Sequence, residues 1–247
     1  MKRLSVTLIF LFLCTHALAA TPNHKKISAA VQESFPKLTV DEVNDSPLPG
    51  VYEIVSRDRI FYYAPDTGHL LIGNLISREG ENITTRRVQE VMEKRIKGLP
   101  LGEALKIGSG PHQVIEVTDP DCSFCRKGSH YFDSRQDITR HIFFKPLQTY
   151  SQSRAKAAYI LSSPDPQTAY KEVFSGKYDQ QPLPSVKDNG QLERQAKVIE
   201  PLKVNSTPSY WINGTYVAGS DLRRIQQLLD PPAATNHPPQ SPAPSGK

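Results

Sequence analysis

Apolar positions fall into two rhythms along the chain, one of three to four residues and one of continuous short runs. Ile27, Ala30, Val31 and Phe35 recur as one face of a helix, and Pro47, Pro49 and Gly50 then break the pattern. Short runs rich in β-branched and aromatic residues follow, from Val51 to Val55, Arg59 to Ala64 and His69 to Ile76, with Pro65-Asp66-Thr67-Gly68 predicting a turn between the last two. A helical period returns from Thr84 to Lys97, with Val88, Val91, Met92 and Ile96 on one face and Gly98 and Pro100 ending it. The remaining positions of that helix, Arg86, Arg87, Glu90, Glu93, Lys94, Arg95 and Lys97, predict a solvated surface and a linker between two units.

The second half alternates strands with helices. Gln113 to Val117 reads as a buried strand, Thr118 to Asp121 as a loop, and Cys122 to about Phe132 as a helix. His141 to Lys145 predicts another strand, and Ser151 to Leu161, Gln167 to Phe174 and Asn189 to Ile199 predict helices. Asn213-Gly214 between Tyr210-Trp211-Ile212 and Thr215-Tyr216-Val217 is a two-residue hairpin signal. Ser220 is placed to cap a last amphipathic helix carrying Leu222, Ile225, Leu228 and Leu229.

Composition adds the ends of the chain to this picture. Of 247 residues, 38% are hydrophobic and 22% charged, which is globular, but 21 prolines exceed the usual share of about 5%. Six of them crowd into residues 231–247, a segment without enough apolar residues to form a core, which predicts a disordered tail. At the other end, Met1-Lys2-Arg3, the apolar stretch Leu4 to Leu13 and Ala17-Leu18-Ala19-Ala20 read as a secretory signal peptide cut after Ala19. Cys14 would leave with it. Losing Lys2 and Arg3 lowers a formal net charge of +5, and the remaining basic residues are scattered among acids, which excludes a nucleic-acid footprint.

Three cysteines in the precursor thus become two in the mature chain, both in Cys122-Ser123-Phe124-Cys125. Exported proteins spend cysteines on cross-links between distant segments, because closing a long loop constrains the unfolded chain most. A bridge across three positions closes almost no loop, so redox chemistry explains the pair better than a structural disulfide. A zinc site would want further ligands at related spacing, and a haem site would need His where Arg126 stands. At the start of a helix, free N–H groups and the positive dipole end favour a thiolate, lowering a cysteine pKa from about 8.5 to about 3.5–7.5. Cys122 is therefore the expected accessible nucleophile, and Cys125, one turn deeper, the residue that resolves its mixed disulfide with a client.

Two blocks carry a resemblance to a known family: Val117-Thr118-Asp119-Pro120-Asp121-Cys122-Ser123-Phe124-Cys125-Arg126-Lys127, and Asn205 to Gly219 around Thr207-Pro208. They resemble the thioredoxin-fold thiol:disulfide proteins and, within these, the DsbC/DsbG-like periplasmic disulfide isomerases. The resemblance, extending from about Asn23 to Asp230, implies an α+β / α/β architecture. A small cystatin-like helix-plus-meander dimerisation domain (residues 20–80) would be followed by a linker helix and connector (81–104) and a thioredoxin fold with a helical insertion (105–230). It implies that Thr207 and a cis-Pro208 face the cysteines and offer a client strand a hydrogen-bonding edge. It further implies a homodimer acting on disulfide-containing exported proteins in the periplasm, kept reduced by a membrane electron donor of the DsbD type. Glu116, six positions before Cys122, stands where many thioredoxin-fold relatives carry a buried acid, and a glutamate beneath Cys125 could take its proton, although DsbC-like members generally lack an acid there. Neither residues nor resemblance calls for a cofactor or metal ion. A dithiol oxidase of the same fold and a non-redox chaperone or assembly-binding protein are the two rival functions.

Overall fold

A computed structural model describes residues 24–231; the signal peptide, Cys14 and all of the proline-rich tail except Pro231 lie outside the described residues. In the N-terminal unit, α1 (His24–Ser34) packs on an antiparallel meander of β1 (Glu42–Asp45), β2 (Tyr52–Ser56), β3 (Arg59–Ala64) and β4 (His69–Leu71), in that spatial order. The helical spacing read from sequence supplies one side of the core: Ile27, Ala30, Val31 and Phe35 meet Ile54, Phe61 and Tyr63 from the sheet. β1 is a strand the hydrophobic pattern does not reveal, because Glu42, Asn44 and Asp45 make it polar; it pairs with β2 in the register Glu42↔Val55 to Asp45↔Tyr52. The run from His69 to Ile76 is shorter than its composition predicts. β4 ends at Leu71 opposite Tyr62, and the chain then leaves the sheet toward Thr84, whose hydroxyl accepts from Leu75 N–H at 2.8 Å and bonds the Tyr62 hydroxyl at 2.6 Å.

Asn82 caps α2 (Ile83–Ile96) by accepting from Thr85 N–H at 2.9 Å, satisfying one of the four free donors of a helix start. This helix is more than a solvated linker. Met92 and Ile96 sit in a core with Val117, Phe143, Trp211 and Tyr216 of the second unit, and the Met92 carbonyl accepts from Trp211 Nε1 at 3.0 Å. On another side Arg87 binds Glu53 of β2 at 3.0 Å. The helix is therefore common to both units.

The second unit is a five-stranded sheet in the order β5 (Leu105–Gly108), β7 (Ile138–Phe144), β6 (His112–Thr118), β8 (Ser209–Ile212), β9 (Thr215–Ala218). β6 and β7 run parallel through the right-length crossover of α3 (Ser123–Asp133), and every other pairing is antiparallel. α4 (Ser153–Ser162), α5 (Pro166–Phe174) and α6 (Gln191–Ile199) form the insertion between β7 and a short 3₁₀ turn (Glu200–Leu202). The β8–β9 hairpin turns at Asn213 and Gly214, both at positive φ (49° and 90°), as a tight turn matched to strand twist requires. α7 (Leu222–Leu229) closes the fold, and Asp221 rather than Ser220 caps it, accepting from Arg224 N–H at 3.0 Å. Ser220 is used elsewhere: its hydroxyl donates to the carbonyl of Phe124. β5, an edge strand with Lys106 and glycine at its end, carries too few apolar residues to announce itself in sequence. The architecture is mixed helix and sheet, with a helix-plus-meander unit joined by α2 to a thioredoxin-like unit.

Candidate active site

Cys122 is the N-cap residue of α3, with extended backbone (φ −77°, ψ 118°), and Cys125 lies one turn in. Both are free thiols. The Cys122 sulfur faces the Thr207 carbonyl at 3.5 Å, and the Thr207–Pro208 bond is cis. Asp119 N–H donates to the Cys125 sulfur at 3.4 Å. The four residues Cys122, Cys125, Thr207 and Pro208 are thus brought together from a helix start and a loop 85 residues later. Cys122 is 4% exposed and Cys125 wholly buried, so the first sulfur opens to solvent less than a bare helix start predicts. The segment before β8 covers it. Phe124, 62% exposed, is the protruding apolar residue of the tetrapeptide.

The electrostatics of the two sulfurs diverge. The hydrogen bond from the Cys125 thiol lowers the Cys122 pKa most, aided by the N–H groups of Cys125 and Phe124 and by the Thr207 side chain; burial opposes them, and the pKa is lowered to about 6. Burial, then the neighbouring Cys122, pushes the Cys125 thiol far above the ordinary range. One sulfur is a thiolate at neutral pH and the other keeps its proton. At pH 7, a pKa of about 6 gives about 90% thiolate against about 3% for an ordinary cysteine, a gain of about thirtyfold. A less basic thiolate is also a weaker nucleophile, and with a Brønsted slope of about 0.4–0.5 that loss is about tenfold to twentyfold over 2.5 pK units. Attack therefore gains little, whereas departure of Cys122 from a mixed disulfide gains outright, because low-pKa thiols leave faster. The alkylation rate of Cys122 should rise with pH through a midpoint near 6 and level off above about pH 7; a rate still climbing at pH 8.5 would contradict the lowered pKa.

Buried Asp119 braces the loop before the helix. Its carboxylate accepts from Asp121 N–H at 2.8 Å, from Leu147 N–H at 2.7 Å and from the Ser153 hydroxyl, tying the cysteine loop to the segment after β7 and to the start of α4. A four-charge network flanks the tetrapeptide. Arg126 grips Asp179 through two nitrogens at 2.6 and 2.7 Å and donates to the Pro120 carbonyl at 2.7 Å, while Lys156, buried on α4, reaches Asp121 at 2.5 Å and Asp179 at 2.6 Å. The Arg126 guanidinium and the Lys156 ammonium hold Asp179 well below the usual carboxylate range. Sequence reasoning missed all of these except the bare acids of Asp119-Pro120-Asp121; an aspartate whose side chain can bond the N–H two residues on is the signal that could have found Asp119.

Glu116, on β6, is fully buried but not solitary. Its Oε2 binds Arg140 of β7 at 2.7 Å, and Arg140 also donates to the Tyr170 hydroxyl at 2.7 Å while lying 5.1 Å over the rings of Phe132 and Tyr170. The sequence reading lacked this counter-charge, because a single arginine in an apolar strand 24 residues away carries no local pattern. Among the described residues no hydrogen bond joins Glu116 to Cys125, and Glu116 Oε1 and the Tyr210 hydroxyl are buried without a partner. Tyr210, the register partner of Glu116 on β8, has its hydroxyl pushed well above its ordinary pKa by burial and by the charge of Glu116. Among the described residues no group of three metal-ligating side chains occurs.

A dithiol split between a stabilised thiolate and a protonated partner, set at a helix start opposite a cis-proline loop on a β-α-β sheet, defines a thioredoxin-fold thiol:disulfide protein. Comparison narrows the class. Residues 18–85 match the family described as disulfide bond isomerase protein N-terminal domain. The probable thiol:disulfide interchange protein DsbC of Bordetella avium is 25% identical over 192 residues, covering 76% of this chain and 68% of that protein. The thiol:disulfide interchange protein DsbC of Pasteurella multocida is 22% identical over 212 residues, covering 85% and 89%. Among solved structures, a disulfide interchange protein from Neisseria gonorrhoeae is similar with a TM-score of 0.42 at 24% identity, covering 51% of this chain and 94% of that one. Over residues 18–85 this chain thus matches that N-terminal domain family, and over most of its length it is similar to thiol:disulfide interchange proteins named DsbC.

Proposed function

We propose that the protein is a periplasmic, homodimeric thiol:disulfide isomerase and reductase that acts on misbridged exported proteins. The observation that carries this is the Cys122 sulfur, a thiolate at neutral pH, facing the Thr207 carbonyl and backed by a thiol that stays protonated. Cys122 attacks a wrong disulfide, releasing one client thiolate and forming a mixed disulfide. A second client thiol then displaces Cys122, which is isomerisation, or Cys125 displaces the client, which is reduction and leaves a Cys122–Cys125 disulfide. The second outcome calls for a donor that returns two electrons, and a membrane protein of the DsbD type fits this reading. Thr207 and Pro208 align the client strand beside the sulfur. In this reading Glu116, whose Oε1 has no hydrogen-bond partner, accepts the Cys125 proton.

The dimer rests on the N-terminal unit. β4 is an edge strand, and Leu71, Ile72 and Ile76 along and beyond it are 50%, 78% and 53% exposed, an apolar edge that a second copy would cover. Starting from the reduced protein, a scrambled multi-disulfide client should recover its native bridges, and the mass in solution should be that of two chains. A single chain that only oxidises reduced clients would overturn the reading in favour of a dithiol oxidase. Ile72→Lys should weaken the dimer by about a thousandfold, since both chains lose a buried side chain worth about 2 kcal/mol each, and should leave the alkylation profile of Cys122 unchanged.

A further inference from the structure

The tip of the β2–β3 hairpin lies against the segment that leads into the cis-proline. Its two turn residues are Arg57, held at φ 55° although it is not glycine, and Asp58. Asp58 is nearly buried, and its Oδ2 accepts from the N–H of Asn205 at 2.9 Å, the N–H of Ser206 at 3.3 Å and the Ser206 hydroxyl at 3.2 Å. The next residue, Thr207, presents its carbonyl to Cys122. A second acid fixes the tip in place. Asp41 accepts from Arg57 N–H at 2.6 Å and from Lys203 Nζ at 2.6 Å, while Arg95 of α2 reaches Asp41 at 3.3 Å and the carbonyls of both Arg57 and Leu202. A left-handed backbone at a non-glycine residue is retained where surrounding contacts over-determine it; here Asp41 and Arg95 hold the turn, and Lys203, the Leu202 carbonyl and the Asp58 bonds tie the same cluster to residues 202–206.

We infer that Asp58 is a positioning residue for the client-binding loop, so that the N-terminal unit sets the Thr207 backbone against the nucleophile of its own chain as well as pairing two chains. A carboxylate that receives two consecutive N–H groups fixes the peptide planes of residues 205 and 206, and with them the direction in which residue 207 offers its hydrogen-bonding groups. A client strand adding at that edge then finds it ordered in advance, which lowers the cost of binding rather than the barrier of exchange. The inference rests on the reading of residues 205–208 as the client-binding loop.

The test compares full-length wild type, Asp58→Ala and Asp58→Asn on two substrates, a scrambled protein and a small aromatic disulfide that has no strand to add. Asp58→Ala should raise KM for the protein about tenfold with kcat within about twofold, and leave the small disulfide unaffected. Asp58→Asn keeps an acceptor oxygen and should restore most of the KM, although it removes the charge. An unchanged KM in Asp58→Ala, or an equal loss on both substrates that Asp58→Asn shares, would overturn the inference. Amide hydrogen exchange separates this from the functional reading: should wild type fail on any protein client, that reading falls. The clamp would still stand if Asp58→Ala sped exchange of the Asn205 and Ser206 amides that Asp58 holds while Asp58→Asn did not, and would fall if their exchange stayed as in wild type.

Discussion

Cys122→Ser is expected to lower isomerisation and reduction by about a thousandfold or more, to the background of spontaneous exchange, because no other group in the site can form the covalent intermediate. Cys125→Ala should behave differently. Its nucleophile is intact, so mixed disulfide with client should accumulate and be visible on a non-reducing gel, while reductive turnover stops and client-resolved isomerisation continues. The partner thiol also supplies the leading stabilisation of the Cys122 thiolate. Removing it should therefore raise the Cys122 pKa, and the alkylation midpoint of Cys125→Ala should move upward from about 6, toward the ordinary value. The combined signature, trapped complex and upward shift, separates an escape thiol from a spectator. Equal activity of Cys122→Ser and wild type would leave only a binding protein whose cysteines are incidental.

The second large effect belongs to the buried pair beneath the site. Arg140 is 2% exposed and Glu116 wholly buried; Arg140 also reaches Asp133 at 3.8 Å, so it is removal of Arg140 that leaves an uncompensated charge in the core. Arg140→Ala should cost about 3–5 kcal/mol, a fall in melting temperature of about 10 °C for a chain of this size. Replacing both at once, Glu116→Leu with Arg140→Met, should recover most of that stability, since apolar groups of similar volume often match a buried ion pair. Kinetics then divide structure from chemistry. If Glu116 accepts the Cys125 proton, the stable double variant and Glu116→Gln should both resolve the mixed disulfide more slowly, by about a hundredfold, the lower end of what a positioned base contributes. Recovered stability together with an undiminished rate would assign Glu116 to the ion pair alone.

The elements with strong local patterns were legible in the chain. α1 and α2 followed from their apolar spacing, α3 from the strand and loop before it, and the β8–β9 hairpin from Asn213-Gly214, whose positive φ angles are the physical content of that dipeptide. The cysteine pair announced its chemistry because two cysteines three positions apart make a poor cross-link. The polar edge strand β1 and the short β5 were not legible, since pairing with β2 and β7 stabilises them rather than their own side chains. Nor were the partners that complete the site. Asp58 reaches the cis-proline segment across 147 residues, Asp179 reaches Arg126 across 53, and Arg140 reaches Glu116 across 24. Each is a single charged residue with no periodicity around it. Ser220 shows the converse: it occupies a capping position by local rules, yet its hydroxyl goes to Phe124 and leaves the cap to Asp221.

The four charges around the tetrapeptide have a bearing on how such a sequence can diverge. Asp121 and Arg126 bracket the reactive pair and bind each other, while Lys156 of α4 reaches Asp121, and Asp179, in the loop after α5, binds both Arg126 and Lys156. Losing any one strands a charge on the other three, so substitutions at 121, 126, 156 and 179 are acceptable chiefly in combination. The helical insertion and the motif it shields should therefore be inherited as one block.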